Sequence, residues 1–217
     1  METADQSQWM MDPSHTALLV IDMQNDFCHP KGAFASAGLD VSACAAVATV
    51  IARLLDRARE AGLTVVFTRT VHSPGSTEPD RHRIVPGRDH GVNRRALCLA
   101  GTWGAQLIDG LQPRPGDLIV DKRRYSAFYD TALEAQLRER GVGALLVTGV
   151  TTNACVDSTV RDAFFRGLDV IVVADAVAAF EPHLHASTLE NLALLFGAVV
   201  PACDVLAGLH PSPLAPT

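Results

Sequence analysis

The sequence predicts a single-domain α/β protein, a Rossmann-like three-layer αβα sandwich built on a mainly parallel sheet of about six strands. Short apolar runs alternate with segments of helical period, and that βαβ rhythm leads to a parallel sheet covered by helices on both faces. No internal repeat and no linker divides the chain. Its 217 residues, 48% hydrophobic, suffice for one substantial core and exceed the size of a small binding module.

Each element has its own local reason. Residues 17–21 (ALLVI) form a short buried strand ending at Asp22. Asp40 is placed to cap a helix whose apolar residues Val41, Cys44, Val47, Ile51, Leu54, Leu55 and Ala58 recur at three and four, and Gly62 suits its end. Strands follow at 63–68 (LTVVFT) and 118–121 (LIVD). Thr131 and Glu134 have capping-box spacing ahead of LEAQLRER, with Gly141 as the stop. A strand at 144–150 leads into the helical pattern of VDSTVRDAFFRG, and DVIVVAD (169–175) is another strand. PHLHASTLENLALLFG then forms a helix and AVV (198–200) a last short strand. The domain is expected to span 15–205, with loosely held tails at 1–14 and 206–217.

Residues 70–101 break the rhythm. Rich in Pro, Gly, His and Arg, this stretch is too long for an ordinary connection and is expected to be a functional loop near the strand ends. Arg81, Arg83, Arg88, Arg94 and Arg95 outnumber Glu78, Asp80 and Asp89. A positive rim for an anionic group and a solvated loop with self-paired charges are both compatible with that pattern.

Bulk charge and cysteine usage exclude several classes. A formal net charge of −6 gives no global attraction to nucleic acid or to an anionic membrane. Five cysteines form no C-x-x-C pair, the start is polar and acidic, and no window approaches the apolar length of a membrane span. Reduced thiols and a cytoplasmic protein are the expectation.

The most informative local feature is Cys155, where the apolar run 144–150 turns through small and polar residues into a helix. Unpaired N–H groups of a first helical turn and the positive end of the helix dipole favour a thiolate there. A small buried hydrophobe is the competing explanation for a free cysteine, so partners decide. In an open parallel sheet the carboxyl ends of the strands face one crevice, which brings Asp22 and Lys122 toward Cys155. A carboxylate can take the thiol proton and later return it to a leaving group, while an ammonium orients that carboxylate. GVGALL (141–146) precedes a strand instead of joining strand to helix, so it is no dinucleotide fingerprint.

LLVIDMQNDF at 18–27, DKRRYSAFYDT at 121–131 and LLVTGVTTNACVDSTVRDAFFRG at 145–167 together resemble the isochorismatase-like cysteine hydrolases, over roughly residues 15–205. That superfamily includes nicotinamidases, N-carbamoylsarcosine amidohydrolases, ureidoacrylate amidohydrolases and biuret hydrolases. The resemblance implies a catalytic triad of Asp22, Lys122 and Cys155, a cis peptide at Val150–Thr151, and an oxyanion hole from the N–H groups of Thr151 and Cys155. It implies hydrolysis of an amide or a ureido (carbamoyl) C–N bond of a small molecule through a thioester, with no cofactor. By the same likeness, KRRYSAF, TTNACVDSTVRDAFFRG and the absence of the nicotinamidase metal Asp tilt the substrate toward carbamoyl or ureido compounds such as ureidoacrylate-like ones, with a cyclic or aromatic carboxamide as the open alternative. Phe27, Tyr125 and Phe128 are candidates to line the substrate pocket, and Cys28–His29 to form part of its wall. Nicotinamidases carry a metal site built on Asp-x-His after the second strand; here the stretch is TRTVHS, with Thr70 at the acidic position and only His72 retained, so no metal is expected. Self-association as a homodimer or homotetramer, through helices flanking the sheet, is implied by likeness. A catalytically idle member of the same fold, used for binding or assembly, is the alternative function.

Overall fold

The computed structural model describes residues 11–75, 92 and 96–209. The charged residues of the long loop discussed above, from Glu78 to Arg95, lie outside them, as do His82 and His90. Along the chain run β1 (Thr16–Ile21), α1 (Asn25–Cys28), α2 (Ala33–Ser36), α3 (Ala43–Ala61), β2 (Thr64–Thr70) and β3 (Leu118–Lys122). There follow α4 (Leu133–Glu139), β4 (Ala144–Val150), α5 (Asp157–Phe165), β5 (Asp169–Ala178), α6 (Pro182–Leu195), β6 (Ala198–Val200) and α7 (Ala202–Gly208). The six strands form one sheet in the order β3-β2-β1-β4-β5-β6, and every neighbouring pair is parallel.

Period-two alternation divides the strand residues between two cores. Leu18, Val20, Val65, Phe67 and Leu146 pack with the buried stripe of α3 and with α7, whereas Ala17, Leu19, Ile21, Leu145 and Val147 pack with α4 and α5. Strand β1 is buried along its whole length, as a central strand covered on both faces must be. The chain order reverses between β1 and β4: β2 and β3 were laid to one side, β5 and β6 to the other. Such a switch point leaves a crevice at the carboxyl ends of the strands, where ligands bind in open α/β sheets.

Several local expectations are revised. Asp40 does not cap α3; its carboxylate accepts the Ser42 N–H at 2.9 Å in a turn, and the helix starts at Ala43. Gly62 does end α3, in the left-handed conformation at φ 81°, with its own N–H and that of Leu63 closing onto the last turn. The Thr131–Glu134 capping box is incomplete. The Thr131 hydroxyl accepts the Leu133 N–H at 3.3 Å at the start of α4 and donates to the Ala127 carbonyl at 2.6 Å, but Glu134 pairs outward with Arg166 at 2.9 Å, so the reciprocal half of the box is missing. Strand β5 continues three residues past 175, to Ala178, after a register shift opposite Val147 and Gly149. At the chain ends, a short 3-10 turn at Pro13–His15 is capped by Asp12, α7 runs to Gly208, and Leu209 is fully buried, so parts of the expected tails belong to the fold. Among the described residues, no helix is long and apolar enough to cross a membrane.

Candidate active site

Asp22, Lys122 and Cys155 come from three strand ends. Asp22 follows β1, Lys122 closes β3, and Cys155 lies in a five-residue π-helical turn, Thr152–Val156, between β4 and α5. Strands β3 and β1 are separated by β2, a span of about 10 Å at the usual strand spacing, and the long lysine stem crosses it. Lys122 Nζ reaches Asp22 Oδ2 at 2.6 Å and Cys155 Sγ at 3.4 Å. Asp22 and Lys122 are each 1% exposed and Cys155 8%.

Two buried ions are tolerable only if their remaining hydrogen-bonding capacity is met. Lys122 Nζ also donates to the Arg124 carbonyl at 3.0 Å and to Thr70 Oγ1 at 3.1 Å. The Thr70 hydroxyl passes its own proton to Asp22 Oδ2 at 3.0 Å, and Thr68 donates to Asp22 Oδ1 at 2.7 Å. Thr68 and Thr70, two residues apart, share one face at the end of β2. Gln24 locks Thr70 in turn: its Oε1 accepts the Thr70 N–H at 2.7 Å, while its Nε2 donates to the Thr70 and Ala105 carbonyls at 2.9 and 2.8 Å. None of Thr68, Thr70 or Gln24 stood out as part of this network in the sequence. The signal was a pair of threonines at i and i+2 following the apolar run VVF at the end of β2.

Backbone geometry completes the constellation. Asp22 adopts φ 51°, a left-handed conformation that aspartate tolerates better than most residues, turning its carboxylate back under β2. Gly149 sits at φ 106° against β1; a Cβ there would lie 2.0 Å from the Ile21 carbonyl oxygen, so only glycine lets β4 approach the residue before Asp22. The Val150–Thr151 peptide is cis. The Thr151 carbonyl accepts the N–H groups of Ala154 and Val156, the residues on either side of Cys155, at 3.0 and 3.1 Å.

The electrostatics differ from the expectation of a thiolate favoured by a helix start. Burial pushes the Cys155 thiol up to about 12, and the Asp22 carboxylate beside it, which also shares a hydrogen bond with the thiol, adds to the rise; Lys122 opposes them through its charge and its hydrogen bond to the sulfur. The resting group is therefore a thiol within reach of a base. For Lys122, burial alone would depress the ammonium, yet the adjacent Asp22 charge, with Cys155, raises it overall, so it remains a cation.

A cavity of about 220 Å³ opens over Cys155. Its floor is formed by Thr70, Val150, Thr151, Asn153, Ala154 and Cys155. Phe27, Phe34 and Phe180 build one wall, with successive edge-to-face contacts at 5.0 Å, and Tyr125 and His72 also face the space. Phe27 and Tyr125 thus stand where the sequence put them. Phe128 does not: it is buried in the core formed with α4 and α5, under the Arg166 guanidinium at 4.9 Å. The reason lies in its loop, which is pinned to α5 by hydrogen bonds from Ser126 to Asp162 and from the Ala127 N–H to Thr159. Cys28 and His29 also turn away; Cys28 joins the core beside α3, and His29 meets Trp103 edge-to-face with ring centroids 4.9 Å apart. Phe34, Phe180, Glu181 and Leu184 were missed, because nothing in their own segments marks them as neighbours of Cys155. Among the described residues, no group of three His, Cys, Asp or Glu side chains could hold a metal ion.

The Isochorismatase domain model matches residues 16–204. The chain belongs to the isochorismatase family. A relative in that family is the ureidoacrylate amidohydrolase RutB of Methylobacterium radiotolerans, 40% identical over 197 residues that cover 86% of this chain and 76% of the relative. Among solved structures, a cysteine hydrolase from Pseudomonas syringae pv. phaseolicola superposes with a TM-score of 0.80 at 30% identity, covering 93% of this chain and 95% of the other. The N-carbamoylsarcosine amidase of Thermoplasma acidophilum superposes with a TM-score of 0.68 at 27% identity, covering 86% and 96%. This isochorismatase-family chain is accordingly a hydrolase of carbon–nitrogen bonds other than peptide bonds.

Proposed function

We propose that the protein hydrolyses a small ureide, with Cys155 as nucleophile, Asp22 as general base and acid, and Lys122 as the cation that orients Asp22. The observation that carries this reading is a single ammonium touching both the Asp22 carboxylate and the sulfur of Cys155, the one of the three that lines the cavity. The ureide class is supported by the RutB relative's name and by the small, partly aromatic cavity, which suits a compact planar compound; a ureidoacrylate-like compound is the first to test.

The thiol proton passes to Asp22 as sulfur attacks the carbonyl carbon, and the Thr151 and Cys155 N–H groups receive the developing oxyanion. Collapse breaks the C–N bond, and Asp22 returns the proton to the departing nitrogen. Asp22 then takes a proton from water, whose oxygen displaces sulfur from the acyl-enzyme, a thioester or, for a ureide, a thiocarbamate, and that proton passes from Asp22 to the departing sulfur to restore the thiol. Lys122 keeps its proton throughout and offsets the charge that moves between Asp22 and sulfur. Losing one oxyanion donor costs about 3 kcal/mol of barrier, so the backbone at Thr151 matters nearly as much as a side chain. The idle-binder alternative has no use for a buried, mutually paired acid, base and thiol, which are costly to maintain.

Phe164, Phe165, Leu194 and Leu195 are exposed near the ends of α5 and α6, and we infer that a second copy of the chain covers them in a homodimer or homotetramer. All five cysteines are free, in keeping with a cytoplasmic location.

Ammonia or amine release should be followed across ureides and carboxamides for the parent, Cys155→Ala and Cys155→Ser. Turnover by the parent alone, with all three proteins melting alike, is the expected result; undiminished turnover by both variants overturns the assignment.

A further inference from the structure

The turn that carries Cys155 is held from outside by one side chain. A π-helical turn has poorer hydrogen-bond geometry than an α-helix and persists where its surroundings support it. Here Thr152, the first residue of the turn, is fully buried, and its hydroxyl lies 2.9 Å from His185 Nδ1 in the first turn of α6. The backbone that carries His185 belongs to the helix, its amide N–H donating to the Glu181 carbonyl at 3.0 Å. A threonine hydroxyl without such a partner competes for nearby backbone groups, and the backbone next to Thr152 is the pair that matters, the Thr151 N–H before it and Cys155 three residues on.

We propose that His185 is a positioning residue for the hydrolytic reaction: through Thr152 it holds the π turn so that Cys155 Sγ and the Thr151 N–H point at the same carbonyl. The histidine itself touches no reacting atom. Burial depresses its basicity, so at neutral pH the ring is uncharged and keeps one donating and one accepting nitrogen, either of which can meet a hydroxyl. The same segment contributes Phe180, Glu181 and Leu184 to the cavity wall, so α6 couples the substrate wall to the nucleophile turn. This inference rests on the proposed role of Cys155, and its test must separate the two.

The experiment compares His185→Leu, His185→Asn, Thr152→Val and the Leu/Val double variant with the parent, using kcat and KM together with the iodoacetamide labelling rate of the Cys155 peptide. A displaced nucleophile can cost up to about a hundredfold in rate, so His185→Leu and Thr152→Val should each lower kcat about tenfold or more while KM moves by less than about threefold. His185→Asn, which restores a donor and an acceptor, should recover most of the loss. The double variant should be no worse than either single one, because both remove the same bond. Losses that multiply in the double variant, kcat within about twofold of the parent in His185→Leu, or no rescue by Asn would each overturn the proposal. Labelling gives a reading independent of substrate: a changed Cys155 rate in both single variants supports the tether even if no compound tried is turned over, and unchanged rates in both sink it. Full turnover by Cys155→Ala would instead overturn the nucleophile assignment.

Discussion

Reactivity of the resting thiol is the most exposed consequence of this site. Cys155 is pushed up to about 12 by burial first and by Asp22 second, against an ordinary value of 9.0. At neutral pH its thiolate fraction is then well below that of an ordinary thiol. The sign follows directly: below its pKa the labelling rate should climb about tenfold for each pH unit, with no plateau between about pH 6 and pH 10. Asp22→Asn removes the carboxylate that raises the thiol and leaves the Lys122 charge that lowers it, so labelling of Cys155 should accelerate by about tenfold or more at pH 8. Turnover in the same variant should collapse, because the base is gone. Lys122→Met should shift labelling the other way. The assay is iodoacetamide modification read by mass spectrometry of the Cys155 peptide, with exposed Cys203 followed in the same samples as a control for the reagent. A plateau below about pH 8 in the parent, or slower labelling in Asp22→Asn, would refute the balance of burial and charge argued here.

Other perturbations test the surrounding framework. Thr70→Val removes a hydroxyl that donates to Asp22 and accepts from Lys122; leaving both buried ions one partner short should cost about 1–3 kcal/mol in urea denaturation and lower kcat with it. Gly149→Ala places a methyl group 2.0 Å from the Ile21 carbonyl oxygen at φ 106°, and thermal unfolding should show a loss of more than about 3 kcal/mol or no folded protein at all. Glu181 stands at the cavity mouth, so Glu181→Lys should lower KM for a carboxylate-bearing ureide and raise it for an amine-bearing one, by about threefold to tenfold in steady-state kinetics. A shift in the same direction for both compounds would remove Glu181 from the binding surface.

What the sequence determined by itself was whatever local pattern dictates. Apolar runs and helical periods specified the alternation of strands and helices, and a parallel sheet then obliges residues at the ends of β1, β3 and β4 to share one crevice. Asp22, Lys122 and Cys155 were legible for that reason, as were Phe27 and Tyr125 close behind them. The Asp40 cap and the Glu134 half of the capping box did not form because side chains that can bond locally have several partners within reach, and spacing does not choose among them. Tertiary structure alone decided the rest. Thr70 became part of the site because strand register set it between the two buried ions, Thr68 because it faces the Asp22 carboxylate from the same strand face, and Gln24 because it holds the Thr70 backbone; Phe128 left it because Ser126 and Ala127 are tied to α5. The protonation state of Cys155 belongs to the same category: a helix start argues for a thiolate, but burial beside a carboxylate outweighs it, and burial is a property of the assembled molecule that no segment carries on its own.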